Sequence, residues 1–366
     1  MRTKSMLSAA VAVLAAVSMC ACGGSKPAAT QAAAPAQTTA AAAAAEKKEE
    51  TQAAAPAAAA EVKLGIGYTT AANDDDPYHI TALTFKNIVE EKTGGRIAVE
   101  EYPSSQLGSE PEMWEGMQTG TCDMAVMTNA YVSSYVPANG SLDLPFIFKD
   151  LDQARTVVDG EYGQALIDNL DGTGVKCLAF SEGGFRQLCT RDKGVASPAD
   201  LNGMKIRCME TKTYLSAYKS LGVNATPMAW GELLTALQQG TVDGCDAPLS
   251  VLYTNGFPDI CKYIDNVNLF YSPLPVCISQ QVFDGLSADD QAILIEAAKE
   301  AAKAARANND SSSERMEADL TSQGMTIIKG SEVDTEAFQA AVQSCYEEMA
   351  SYIGQEWLDK LNAQLK

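Results

Sequence analysis

Short apolar runs alternate with amphipathic segments after residue 61, and this alternation is the feature that most constrains the fold. Strand-like runs occupy 62–68, 97–102 and 124–127. Helical patterns lie between them, the first beginning after Pro77 and the second covering 110–118. Strands that alternate with helices in this way form parallel sheets whose faces are covered by the helices.

A second unit with the same order follows. Runs at 175–180 and 185–189 resemble two short strands, and further strands are expected at 205–209 and 224–228 around a helical pattern. Two units of this kind predict an α/β protein with two lobes.

A long Ala- and charge-rich segment lies near the C-terminus. Ser287 and Asp290 form a capping pattern, the helix can continue to about Gln323, and Gly324 follows as a cap. A helix of this length exceeds one small domain, so we expect it to span both lobes.

The composition narrows the function. The 366 residues carry a formal net charge of -20, which argues against nucleic-acid binding. An anionic ligand would therefore need local positive groups. The single histidine, His79, excludes a multi-histidine metal site and argues against a Ser-His-Asp triad. Nucleophile elbows, phosphate loops and metal-ligand clusters are missing from the sequence, so neither an enzyme nor a cofactor is expected.

The N-terminal segment has the features of an export signal. A basic start precedes the apolar run Met6–Met19, which is shorter than the roughly 20 residues of a membrane-spanning helix. We interpret 1–22 as a lipoprotein signal peptide in which Cys22 becomes the lipidated first residue. Cys20 is a weaker alternative, and a plain signal peptide is another. Residues 23–60, Ala-rich and lacking large apolar side chains, are expected to be a disordered tether.

Eight of the ten cysteines lie in the body of the chain and form no C-x-x-C pair. They fall within apolar runs, so buried free thiols are expected, although an exported protein permits disulfides.

Seven segments of the body together resemble the substrate-binding receptors of tripartite ATP-independent periplasmic (TRAP) transporters, of the DctP family. These segments are 91–97, 102–108, 144–146, 184–187, 201–207, 227–232 and 236–244. The resemblance implies a periplasmic-binding-protein-like fold with a ligand cleft between two lobes. Its lobes would be 61–183 and 184–272, with 273–366 returning to the first lobe.

The resemblance also implies the partners. The ligand would be a small organic acid, which the receptor passes to TRAP membrane subunits. The receptor is expected to be a monomer on the extracytoplasmic face of the membrane, held by its lipid anchor, or in the periplasm. An ABC-type solute-binding lipoprotein and a ligand sensor are the alternative functions.

Arg207 matches the family arginine that binds the ligand carboxylate. A guanidinium group fits a carboxylate with two parallel hydrogen bonds, and an arginine in an apolar strand needs an anion or an exit to solvent. From the residues alone, an internal salt bridge or an exit of the charged group to solvent is an equal alternative. Arg186 corresponds to a second family arginine near the ligand, for which a structural ion pair is the alternative.

Other site residues follow from the same resemblance. Trp230 would cover an apolar face of the ligand, or simply pack in the core. Glu110, Thr128 and Asn129 match positions that line the cleft in some members, and Tyr68 lies beside another such position.

Met209 is expected on the same wall as Arg207.

One position departs from the family pattern. Ala247 stands where many relatives have an asparagine that contacts the ligand carboxylate. Ala247 offers no side-chain donor. The identity of the acid therefore stays open among dicarboxylates, uronic and other sugar acids, and keto or hydroxy acids.

Overall fold

Nine strands form one mixed sheet in the computed structural model, which describes residues 60–365. In chain order they are β1 (Val62–Gly67), β2 (Ile97–Tyr102), β3 (Met124–Val126), β4 (Val175–Thr190), β5 (Lys205–Cys208), β6 (Asn224–Pro227), β7 (Gly244–Pro248), β8 (Tyr263–Ser279) and β9 (Thr326–Ile328). Across the sheet the order is β2-β1-β3-β8-β4-β7-β5-β6, with β9 beside β8.

Helices cover both parts of this sheet. They are α1 (Pro77–Lys92), α2 (Glu110–Thr119), α3 (Asn129–Tyr135), α4 (Leu151–Asp159), α5 (Glu161–Asp168), α6 (Lys212–Ser220), α7 (Trp230–Gln239), α8 (Leu249–Thr254), α9 (Gln280–Asp284), α10 (Ala288–Ser322), α11 (Thr335–Ala341), α12 (Gln343–Ile353) and α13 (Gln355–Gln364). Within residues 60–365, none of them combines the length and the apolar character needed to cross a bilayer.

The two predicted β-α units are confirmed as two parallel parts of the sheet. In the first, β1 pairs in parallel with β2 and β3; in the second, β5 pairs in parallel with β6 and β7. The predicted strand at 97–102 agrees with β2, and alternate residues of this strand, such as Ile97 and Val99, are buried. The period-two alternation of buried residues therefore identified β2 correctly.

Two long antiparallel strands, β4 and β8, connect these parts. The prediction of separate strands at 175–180 and 185–189 was wrong, because β4 is continuous over 16 residues. Its register against β8 shifts between Glu182 and Gly184, and Gly184 has a φ of +90°. Glycine tolerates that backbone conformation, so the strand bends at this point without ending.

The predicted long helix is confirmed. Ser287 accepts a hydrogen bond from the backbone of Asp290, and Gly324, with a φ of +94°, follows the last turn. Five of its eleven buried residues are alanine, and it packs against α1 and β4. Small side chains let a helix approach its neighbours closely over many turns.

Buried charges also hold the long helix to the bend in β4. Glu182, at the bend, accepts two hydrogen bonds of 2.8 Å from Arg155 of α4. Asn309 of α10 donates to the same carboxylate at 3.3 Å, and Arg306 lies 3.8 Å from it. The bend, α4 and α10 thus share one ion-pair network.

Two sets of sequence predictions have different outcomes. The signal peptide 1–22, Cys22 and nearly all of the tether 23–60 lie outside the described residues. The eight cysteines within the described part are all buried free thiols, as the sequence predicted.

Candidate ligand-binding cleft

A small cavity lies where the two parallel parts of the sheet face each other. Segments at the carboxyl ends of parallel strands contribute to its wall: Thr69 and Thr70 follow β1, Thr128 follows β3, and Met209 follows β5. Ligands in open α/β folds commonly bind at these strand ends. The topology therefore brings polar residues of both parts to one place.

Seven of the nine residues predicted for ligand binding line this cavity. They are Glu110, Thr128, Arg186, Arg207, Met209, Trp230 and Ala247. The lining also includes residues that the sequence analysis did not predict, namely Thr69, Thr70, Tyr78, Tyr131, Pro248 and Val251.

Arg207 is buried in β5, with 1% of its surface exposed. Its guanidinium donates from Nε and Nη2 to the carbonyl of Met228, at 2.9 and 2.7 Å. Within residues 60–365 it has no carboxylate within salt-bridge distance. The Trp230 ring lies 5.9 Å from its Cζ atom, a distance at which a cation is attracted to an aromatic face. The Met228 carbonyl therefore orients this buried positive charge, but no acidic side chain within residues 60–365 neutralises it.

The charge of Arg186, from β4, is instead compensated by an acidic side chain. Its Nε donates to the carboxylate of Asp246, and its Nη2 donates to the Asp246 carbonyl at 2.6 Å. Tyr218 donates to the other oxygen of Asp246 at 2.8 Å. The ion pair weighed as an alternative for Arg186 is therefore present, although Arg186 also lines the cavity.

Glu110, the first residue of α2, faces both arginines from the opposite part of the sheet. Its Oε1 accepts from the backbone N and the Oγ1 of Thr128, at 2.9 and 3.0 Å. The Thr128 hydroxyl uses its hydrogen on Glu110, so Tyr78 donates to Thr128 across their 2.7 Å contact. Burial raises the pKa of Glu110 to about 7, and the Thr128 bonds and the arginine charges offset only part of this effect.

Tyr68, which the sequence placed in the ligand site, does not line the cavity. Its hydroxyl bonds to His79 and Glu101, at 2.7 and 3.1 Å. The adjacent β1 position is closed as well, because a Cβ on Gly67 would lie 2.6 Å from the sulfur of Met113. The chain reaches the cavity one residue later, at Thr69.

Asn129 is the second predicted residue that does not line the cavity. It begins α3, and its amide donates to the Asn139 carbonyl and to Asp143, both at 2.8 Å. These bonds direct the side chain into the protein behind the cavity. The neighbouring Thr128 contributes to the wall instead.

Tyr78 and Tyr131 lie in α1 and α3, and neither is part of a motif that the sequence analysis used. A second cavity adjoins the first and shares Thr69, Glu110, Tyr131 and Trp230 with it. Its wall also includes the small polar residues Ser105 and Ser109. Glu110 therefore lies where the two cavities meet.

A two-part α/β fold whose halves enclose a small cavity with two arginines in its wall is an architecture typical of solute-binding proteins. Residues 68–352 match the model of the bacterial extracellular solute-binding proteins of family 7, DctP. The chain belongs to this family, the substrate-binding receptors of TRAP transporters, which is a family of extracytoplasmic receptors and not of enzymes. The ABC-type alternative is not favoured.

Individual relatives agree with this assignment. A solute-binding protein of Verminephrobacter eiseniae is 38% identical, over 83% of this chain and 90% of its own. The 2,3-diketo-L-gulonate-binding periplasmic protein of Escherichia coli is 32% identical, over 77% of this chain and 85% of its own. The crystal structure of a TRAP periplasmic solute-binding protein of a Polaromonas species, bound to D-erythronate, is 35% identical. It superposes with a TM-score of 0.79, covering 82% of this chain and 98% of that one.

Proposed function

We propose that this receptor binds a small organic carboxylate through Arg207 and delivers it to the membrane subunits of a TRAP transporter. The observation that carries the proposal is the state of Arg207. A guanidinium that is buried without an acidic partner among the described residues is costly in a folded protein. An anionic ligand in the cavity would remove that cost.

The local geometry fits a carboxylate. The Met228 carbonyl holds the guanidinium plane from one side, and Met228 is the one hydrogen-bond acceptor that Arg207 has within residues 60–365. The remaining donors can form the paired bonds that a carboxylate accepts. D-Erythronate and 2,3-diketo-L-gulonate, the ligands named for two relatives, are both small carboxylates.

Arg186 supports the site through its charge. Because Asp246 already accepts from its guanidinium, Arg186 contributes less net positive charge than Arg207 does. It still lines the cavity and can offer a donor to the second edge of the carboxylate. Ala247 has no side-chain donor, so the two arginines and water would hold the carboxylate in place of the asparagine that many relatives have.

Binding and delivery are coupled by lobe closure. We assign the lobes to 61–183 with 273–366, and to 184–272, so that the boundary falls at the bend of β4 near Gly184. A ligand that contacts Arg207 and Glu110 at once bridges the two lobes and favours the closed form. The membrane subunits would recognise the surface of that closed form.

The remaining proposals concern the location and the oligomeric state. The basic start, the short apolar run and the small residues before Cys22 support lipidation at that cysteine. One lipid-modified cysteine with several acyl chains anchors a protein stably. The receptor then acts as a monomer tethered by residues 23–60.

Substitution of Arg207 tests the proposal. Arg207→Ala should weaken binding of the acid by roughly a hundredfold or more, since a buried charged hydrogen-bond partner is lost. The measurement is isothermal titration calorimetry on the ligand-free receptor, with acids first identified by a thermal-shift screen of sugar acids, hydroxy acids and dicarboxylates.

Arg191→Ala is the matched control, because it removes the same charge from a partly exposed arginine just beyond β4 and outside the cavity wall. Its affinity should equal that of the wild type. Unchanged affinity in Arg207→Ala would refute the proposed clamp, and failure of every acid to bind the wild type would refute the proposed function.

A further inference from the structure

One oxygen of the Glu110 carboxylate is unused in a buried site. Oε1 accepts both hydrogen bonds from Thr128, whereas Oε2 has no hydrogen-bond partner among the described residues. Only 4% of the Glu110 surface is exposed, and the side chain lines both adjoining cavities. A buried acceptor without a donor is unfavourable, so this oxygen points to a donor that arrives with the ligand.

The neighbouring side chains do not supply that donor. The backbone N and hydroxyl of Thr128 are both committed to Oε1. Tyr78 donates to Thr128 and not to the carboxylate. A ligand hydroxyl that reaches Oε2 would complete a chain of hydrogen bonds already formed on the protein side.

The charges around the two cavities are unevenly distributed. Both cations of the lining, Arg186 and Arg207, come from β4 and β5. The second cavity, beyond Glu110, has Ser105, Ser109 and Thr69 in its wall and no lysine or arginine among its described lining residues. One carboxylate of a ligand therefore finds a cation, but a second carboxylate at the other end would meet Glu110.

We propose that Glu110 is a specificity-determining residue that accepts a hydrogen bond from a ligand hydroxyl and excludes a second carboxylate. The ligand class is then the polyhydroxy monocarboxylates, and dicarboxylates of the same length are rejected. This inference rests on the proposed function, because it assumes that Arg207 holds the first carboxylate.

Two physical effects act in the same direction. A hydroxyl donor satisfies Oε2, whereas a carboxylate has no hydrogen to donate and brings a like charge into a site with little water. Like charges placed together in a buried interface are strongly disfavoured. Burial raises the pKa of Glu110 to about 7, so its carboxyl group is ionised and fully selective in mildly alkaline buffer.

Matched pairs of acids isolate this effect. D-Erythronate and meso-tartrate have the same carbon chain and configuration and differ at the terminal carbon, which is a hydroxymethyl group in one and a carboxylate in the other. D-Galactonate with galactarate, and D-gluconate with D-glucarate, extend the comparison to six carbons. Affinities of the full-length receptor are measured by calorimetry near pH 8.5, well above the pKa at which Glu110 loses its proton.

The wild type should bind the monocarboxylate of at least one pair about tenfold or more tightly than its dicarboxylate partner. Glu110→Gln keeps an oxygen for Thr128 and presents an amide N–H in place of Oε2. That variant should reduce the preference by about tenfold, chiefly by tighter binding of the dicarboxylate.

Glu112→Gln is the control. Glu112 lies in the same first turn of α2, accepts from Ser109 at 2.7 Å and does not line either cavity. It removes the same charge from the same helix end, and the preference between the paired acids should be unchanged. A change of equal size in both variants would attribute the preference to the general field of the helix and overturn the inference.

The remaining outcomes separate this inference from the proposed function. Equal or tighter binding of the dicarboxylates by the wild type overturns the inference and leaves the Arg207 clamp intact. The same holds if only acids without hydroxyl groups bind. If no acid of any class binds, the proposed function fails. The wild-type pairs decide these points even if Glu110→Gln does not fold.

Discussion

Arg186 and Arg207 reach the same cavity from β4 and β5, yet their charges are compensated in different ways. Arg186 forms an ion pair with Asp246, which also accepts from Tyr218. Arg207 has the carbonyl of Met228 as its acceptor and no acidic partner within the described part of the chain. Arg186 thus has an acidic partner, and Arg207 has none among the described residues.

This difference predicts that the two arginines affect different properties, one the stability of the fold and the other the affinity for ligand. A buried ion pair is strongly destabilising when one partner is removed, because the other charge is left unpaired. A buried cation that awaits a ligand is itself unfavourable in the ligand-free protein, and such costs are typical of functional sites. Arg186 should therefore matter most for folding, and Arg207 for ligand affinity.

The largest expected effect is on the stability of the ligand-free receptor. Arg186→Met leaves Asp246 buried without its cation, and should lower the free energy of unfolding by about 3–5 kcal/mol. Arg207→Met should leave that free energy unchanged or raise it, because it removes an uncompensated buried charge. Urea denaturation of both variants without ligand measures the contrast.

A double substitution checks the cause of this effect. Arg186→Met combined with Asp246→Asn removes both charges and should recover part of the lost stability. Equal destabilisation by Arg186→Met and Arg207→Met would contradict the comparison, since it would mean that the two buried charges are compensated to the same extent.

A second effect concerns Asp143, a carboxyl group influenced by Arg186. Burial raises its pKa to about 8, against the lowering effects of the Asn129 hydrogen bond and the Arg186 charge. The folded protein then keeps this proton up to about pH 8, whereas the unfolded chain releases it near pH 4. The folded state binds more protons in this interval, so stability falls as the pH rises.

Asp143→Asn should make the free energy of unfolding fall less steeply with pH. Between about pH 5 and 8 the slope should decrease by up to about 1.4 kcal/mol per pH unit, which corresponds to one proton. Unfolding free energies of the wild type and the variant over that range provide the measurement. Asp290→Asn is the control, because the Arg96 hydrogen bond lowers the pKa of Asp290 and its contribution is lost only in acid. An unchanged slope in Asp143→Asn would mean that Asp143 is ionised in the folded protein.

The sequence predicted β1 and β2 more reliably than the two long strands β4 and β8. β1 and β2 alternate buried and more exposed residues, so their period was visible. β8 gave no such signal: it is buried almost throughout, contains Pro273 and Pro275, and includes Asn268 at a φ of +55°. A strand covered on both faces has no period to detect, and prolines are rare inside central strands.

The site could be predicted only as far as individual positions match a family. Arg207, Glu110 and Trp230 were found through motifs, and the structure brings them to one cavity. The partner of Arg186 could not be found, because it depends on the register that sets β4 against β7. Pairing between residues 60 positions apart is a property of tertiary structure, so the sequence could name an ion pair only as an alternative for each arginine.

The smallest expected effect comes from the aromatic rings that face the two guanidinium groups. Trp230 lies 5.9 Å from the Cζ of Arg207, and Tyr214 lies 5.6 Å from that of Arg186. A cation–π contact contributes about 1 kcal/mol, so Trp230→Leu should weaken acid binding about fivefold by calorimetry. Trp230→Phe keeps an aromatic face and should lose less affinity.

Tyr214→Leu should lower the unfolding free energy but change the affinity little, because the charge that Tyr214 covers is already paired. If Tyr214→Leu reduced affinity as much as Trp230→Leu, both arginines would contribute directly to binding, and the division between a structural and a ligand-binding guanidinium would be wrong.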